Sequence, residues 1–175
     1  MGREMETYIR TMIESDCAVV AGAFDAQGWN KPESLYRRYL TEQRAGGRSV
    51  LAAFVGKNRG EFSGYVTIVW TSSYKPFEES AIPEIKDLNV LIKFRRKGIG
   101  TNLLDAAETL AAERSSLVGI GTGITPDYGP ALAMYVKRGY IPDGLGAIQN
   151  DRRIVYGDSI TVDDEPTLYL TKHLG

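Results

Sequence analysis

Nine consecutive positions, Ile92 to Gly100, bring together Lys93, Arg95, Arg96 and Lys97 with two glycines, Gly98 and Gly100. Cations beside glycines at the mouth of a helix suit a large oxyanion. Successive backbone N–H groups point one way at the positive end of the helix dipole. The glycines keep Cβ atoms out of the way, Thr101 adds a hydroxyl, and the cations form a neutralising rim. Dinucleotide and nucleoside-triphosphate readings fit poorly. The Rossmann pattern fails because Leu103 stands where a third glycine is needed, and the Walker A pattern because Thr101-Asn102 follows Gly100 in place of Lys-Ser/Thr. The chemistry that remains is diphosphate binding; a glycine turn with a solvated basic rim is the competing structural explanation. A second glycine cluster, Gly119, Gly121 and Gly123, has no helix at the distance either fingerprint requires.

Other reactive residues are few. Cys17 and His173 are the chain's single cysteine and single histidine, so neither an internal disulfide nor a Cys/His metal site is expected. Cys17 lies in the apolar run CAVVAGAF and reads as a buried small hydrophobe. His173 reads as a surface residue near the C-terminus.

The elements that position these residues follow from periodicity. A short strand is expected over 6–12, helices over 15–25 and from Pro32 to Gly47, and strands in SVLAAFVGK and GYVTIVWTS around a turn at NRGE. TSSYKPFEES reads as a polar loop. IPEIKDLNVLIKF reads as a strand through Ile85, Leu88, Val90 and Ile92, with an irregularity near Lys86 and Asp87. Gly98 to about Glu113 is the strongest helix, its stripe Ile99, Leu103, Leu104, Ala107, Leu110 and Ala111 lying on one face. SLVGIGTG is a strand, YGPALAMYVKRGY a helix, and strands are expected at 152–156 and in TLYLTKHL. The result is a mixed α/β (α+β) fold of about seven strands and four helices, with only part of the sheet parallel.

At 175 residues the chain suits a single domain over 1–175. Its 21 Lys and Arg against 22 Asp and Glu leave a net charge of −1, which counts against a nucleic-acid partner held by backbone charge. No apolar run approaches the roughly 20 residues of a membrane span. The N-terminus has no signal-peptide pattern, and Glu6 stands where a myristoylation signal needs Ser or Thr. A soluble cytoplasmic protein is expected, with no membrane or nucleic-acid partner.

The R-x-x-G-x-G pattern of Arg95 to Gly100, after the strand DLNV, resembles the acyl-CoA signature of the GNAT acetyltransferase superfamily. ALAMYVKRGYIPDG resembles that family's A-x-x-L-Y-x-K-x-G-F/Y segment, in the right order and at the usual spacing. The likeness is good over about 48–143 and weaker over the first 45 residues. It implies the GNAT fold, splayed between strands 4 and 5, and acetyl-CoA as co-substrate with no metal. Backbone groups of Arg96, Lys97, Gly98, Ile99, Gly100 and Thr101 would hold the diphosphate, with Arg95 at the rim and Val90 and Ile92 along the pantetheine arm. Tyr135 would protonate the departing thiolate. Glu84 takes the place of a general base, with Asp87 or water as the other candidates and a solvated or ion-paired carboxylate as the competing reading. The family often has Pro at the position of Ile92 and Asn at that of Tyr128, so Tyr128 is a candidate cofactor contact only.

The implied reaction is acetyl transfer to a primary amine by direct attack in a ternary complex. A non-catalytic acyl-CoA-binding module is the alternative, and a homodimer is compatible with the family. The acceptor, a small-molecule or peptide amine, stays open. In WTSSYKPFEES, Trp70, Tyr74 and Phe77 with Glu78 and Glu79 are candidates for stacking on and attracting a cationic amine, and Asp158, Asp163 and Asp164 for attracting one.

Overall fold

Apolar runs become strands and the 3.6-residue stripes become helices across residues 6–57 and 60–175, which the computed structural model describes. The strands are β1 (Thr7–Thr11), β2 (Arg48–Val55), β3 (Glu61–Val69), β4 (Glu84–Val90), β5 (Leu117–Gly123), β6 (Ile141–Gln149), β7 (Arg152–Arg153) and β8 (Thr167–His173). The helices are α1 (Asp16–Asp25), α2 (Glu33–Arg44), α3 (Lys75–Glu79), α4 (Ile99–Ala112) and α5 (Gly129–Lys137), with 3-10 turns at Ile92–Phe94 and Pro126–Tyr128. Asn58 and Arg59 of the expected NRGE turn, and the first five residues of the N-terminal reading, lie outside the described residues.

The described residues thus carry eight strands and five helices, one of each more than expected. The additional strand is β6, whose Gly- and Pro-rich sequence hides its pairing. The additional helix is α3, where a polar loop was expected. β4 also ends earlier than its apolar pattern suggests. Ile92 belongs to the 3-10 turn that follows it and is 53% exposed.

The chain forms two compact units. The first comprises the described residues up to Trp70 together with Lys86–Leu110. Here β1, β2 and β3 pair antiparallel in sequence, from Thr7↔Val55 to Arg48↔Val69, and β3 neighbours β4. α1 places Phe24, fully buried, edge-on to Phe62 and Tyr65 of β3. α2 buries Tyr36, Tyr39 and Leu40. The expected α4 stripe is buried at Ile99, Leu103, Leu104 and Ala107. The irregularity expected in β4 is Asp87, which takes a left-handed φ of 54°.

The second unit comprises Thr71–Ile85 and Ala111–Gly175. β8 lies between β5 and β6, antiparallel to both, with a register shift in β6 between Pro142 and Ala147. The parallel ladder of β4 with β5 has two pairs, Glu84↔Gly119 and Ile85↔Ile120, and stops there. A parallel ladder this short agrees with the splay expected between strands 4 and 5. Tyr74, Phe77, Ile82 and Ile148 form a buried cluster against which Leu117, Leu145 and Tyr169 pack.

Candidate functional site

In the first unit the predicted anion loop has the local geometry its sequence suggests. Phe94, buried, anchors one end and Ile99, 1% exposed, the other, while Arg95, Arg96, Lys97 and Gly98 between them are exposed. Arg96 and Gly98 both adopt left-handed backbone, φ 60° and 81°. The Gly98 carbonyl accepts the Asn102 N–H at 2.9 Å and so caps α4. The first N–H groups of a helix have no acceptor within it, which leaves the opening of α4 able to meet an oxyanion. A Cβ at Gly98 would have nothing within 4 Å, and one at Gly100 would come no closer than 3.7 Å to Val90. The cradle is open to a ligand and bare of side-chain carbon, which fits a diphosphate.

The strand before the loop is more occupied than expected. Val90 O accepts the Arg95 Nε at 3.3 Å, and the Ile92 N–H donates to Gln27 Oε1 at 3.0 Å. The Arg95 guanidinium lies 5.2 Å from the centre of the Trp29 ring. Gln27 and Trp29 were not legible as site residues, because nothing local in the sequence links the end of α1 to a loop 65 positions away. Lys93 pairs with Glu61.

Asp87, the second carboxylate considered as a base, also belongs to this unit. It accepts the Tyr39 hydroxyl at 2.8 Å and lies 3.5 Å from Arg48 Nη1.

The second unit holds Tyr135, Glu84 and Tyr128. Tyr135 lies on α5, 6% exposed, its ring 5.9 Å from that of Tyr140. Burial, and secondarily Tyr128, push its phenol up to about 12, so it stays protonated throughout the neutral range. Glu84 opens β4 at 2% exposure and accepts the Ser72 hydroxyl. Tyr128 stands two residues before Pro130 at the entry to α5, and its hydroxyl donates to Asp164 Oδ1 at 3.2 Å.

Several sequence hints resolve into packing. Tyr74 and Phe77, candidates for stacking on an amine, are core residues. Tyr74 stacks on Tyr169 at 3.7 Å and donates to Asp143, and Phe77 is 1% exposed. Trp70, in the first unit, donates from its indole to Ser49 Oγ. The β5 glycines make room for rings: a Cβ at Gly119 would stand 2.1 Å from Phe77, at Gly121 3.0 Å from Tyr169, and at Gly123 2.5 Å from Tyr128. Asp158 and Asp163 accept the N–H groups of Val155 and Glu165 within their own turns.

Cys17 is fully buried, which raises its thiol pKa, and His173 is exposed. Among the described residues no group of three His, Cys, Asp or Glu is placed to hold a metal ion, and no helix is long and apolar enough to cross a membrane.

Comparison with known proteins places the chain in a family. The model of the acetyltransferase (GNAT) family matches residues 18–140, reaching back to α1, where the motif likeness was weak. No curated protein sequence matches the chain. Among solved structures, yncA from Salmonella typhimurium with its cofactor acetyl-CoA is 15% identical, with a TM-score of 0.68 over 97% of this chain and 95% of that one. A ribosomal-protein-alanine N-acetyltransferase from Brucella melitensis is 18% identical, with a TM-score of 0.68 over 95% of this chain and 99% of that one. An N-acetyltransferase from Staphylococcus aureus Mu50 is 14% identical, with a TM-score of 0.67 over 97% and 99%. At these identities the likeness is one of fold.

Proposed function

Because the chain belongs to the acetyltransferase (GNAT) family, we propose that it transfers an acetyl group from acetyl-CoA directly to a primary amine. The observation that carries this reading is the opening of α4. Gly98 is left-handed and exposed, with open space where a Cβ would stand, and Arg95, Arg96 and Lys97 precede it. Backbone N–H groups from Arg96 to Thr101 hold the diphosphate, and Val90 and Ile92 lie along the arm.

Acetyl-CoA supplies a thioester, a carbonyl activated toward nitrogen. Glu84 takes a proton from the attacking amine, through water or the Ser72 hydroxyl, since only a neutral amine can attack. The new C–N bond forms as the C–S bond breaks, and Tyr135 gives its phenolic proton to the departing sulfur. A phenol held protonated by burial suits that role. Cys17, buried among apolar residues with a raised pKa, is unsuited to a covalent relay.

The test is acetyl-CoA consumption, read as thiol release, over small amines, polyamines, aminoglycosides and peptides. Amine-dependent release is expected for at least one class. Saturable acetyl-CoA binding with no release on any amine would instead mark a non-catalytic acyl-CoA-binding module.

A further inference from the structure

The turn that closes α1, Gln27-Gly28-Trp29, touches the diphosphate loop's approach at two points. The turn itself is stiff. The N–H groups of Gln27 and Trp29 both donate to Phe24 O, at 3.1 and 2.9 Å, and the Trp29 ring stacks on fully buried Phe24 at 5.8 Å. From this base Gln27 Oε1 accepts the Ile92 N–H at 3.0 Å, and the Trp29 ring faces the Arg95 guanidinium at 5.2 Å.

The Ile92 N–H needs an acceptor for a local reason. Ile92 is the first residue of the 3-10 turn Ile92–Phe94, a position whose N–H has no partner within the turn. Leu91 before it sits at φ −56° and ψ 139°, the extended conformation that a following proline tolerates. Proline, which has no N–H, suits a first helical position. The backbone here would therefore accept proline, and with isoleucine in its place an outside acceptor must hold the turn. Gln27 provides it. The other end of the Gln27 amide, Nε2, is buried and unpartnered among the described residues, so the Ile92 N–H is what fixes the side chain.

We propose that Gln27 is a positioning residue for acetyl-CoA: by accepting the Ile92 N–H it fixes the turn from which the diphosphate loop departs. Trp29 holds Arg95 against the same base, so the approach to the loop is set before ligand arrives. The inference rests on the acetyl-CoA reading above.

The test is a double-mutant cycle on the full chain, with equilibrium binding of acetyl-CoA as readout and thermal melts confirming each fold. Gln27→Met keeps the side chain's length and drops the acceptor. Gln27 also lines an open cavity of about 750 Å3 with Val19, Ala23, Phe62, Leu91 and Ile92, so the substitution does not strip a closed core. Q27M should weaken acetyl-CoA binding roughly fivefold, as expected for one lost ordering contact. In the I92P background, where the N–H is gone, the same substitution should change affinity less than about twofold.

Equal weakening in both backgrounds would mean that Gln27 acts by packing and would overturn the proposal, as would no weakening in the Ile92 background. Wild-type protein that fails to bind acetyl-CoA would retire the acetyl-CoA reading and this inference with it, an outcome distinct from the other two.

Discussion

At the scale of single residues, the proposed acid and base, Tyr135 and Glu84, are both buried. A buried phenol remains neutral and keeps its proton, the form an acid needs. With its pKa pushed up to about 12 by burial and Tyr128, Tyr135 retains that proton well above neutrality. Y135F should lower kcat by about 100-fold, within the usual range for a general acid, and leave the acetyl-CoA dissociation constant within about twofold. Steady-state kinetics paired with direct binding separates the two, and an unchanged kcat would remove Tyr135 from the mechanism. Glu84 is harder to reach, since its carboxylate is 2% exposed and takes the Ser72 hydroxyl. If it receives the amine's proton, E84Q should abolish the acid limb of the kcat/KM profile. A surviving limb would move the role to Asp87, which Tyr39 and Arg48 hold in a left-handed turn of β4.

At the scale of elements, β5 shows how one residue type serves two ends. Gly98 provides a left-handed, open opening for a helix, whereas Gly119 provides absence of volume: a Cβ there would lie 2.1 Å from the Phe77 ring. β5 pairs with β4 on one side and β8 on the other, so its backbone has little room to retreat. G119A should therefore cost about 1–3 kcal/mol through overpacking. G22A is the contrasting substitution, in the exposed interior of α1 with nothing within 4 Å of the new methyl. It should stabilise by about 0.5–1 kcal/mol through helix propensity. Denaturant unfolding of both variants checks the opposite signs, and equal effects would refute this account of β5.

The same elements show what periodicity can reveal. α4 was legible because fourteen residues repeat one stripe, and the loop before it because glycines and cations are dense. α3 has only five residues, too few to display a period. β6 carries two left-handed glycines, Gly144 and Gly146, and a register shift, which break the alternation that marks a strand. Gln27 escaped for another reason: its partner is fixed by tertiary folding, and a glutamine after a helix looks like any solvated side chain.

At the scale of the whole molecule, both compact units rely on buried or partly buried tyrosines. Tyr36, Tyr39 and Tyr65 in the first unit, and Tyr74, Tyr135 and Tyr169 in the second, all have phenols raised by burial above the ordinary value. A phenol whose pKa is higher in the folded chain is neutral in both states below about pH 10, the unfolded value, and there its stabilising contribution is complete. Above that the unfolded chain loses its protons first, binds fewer than the native state, and is favoured as pH rises. The loss continues through the folded pKa, near 12 for Tyr135 and Tyr169. Stability should accordingly fall steeply on the alkaline side, with Tm dropping more than about 5 °C between about pH 9 and pH 11, against about 2–4 °C per kcal/mol for a chain this size. A spectrophotometric titration followed alongside circular dichroism tests the cause. The buried tyrosines should ionise together with loss of structure. If all ten tyrosines ionised along one curve near the free-phenol value while the fold persisted, the buried phenols could not be what limits alkaline stability.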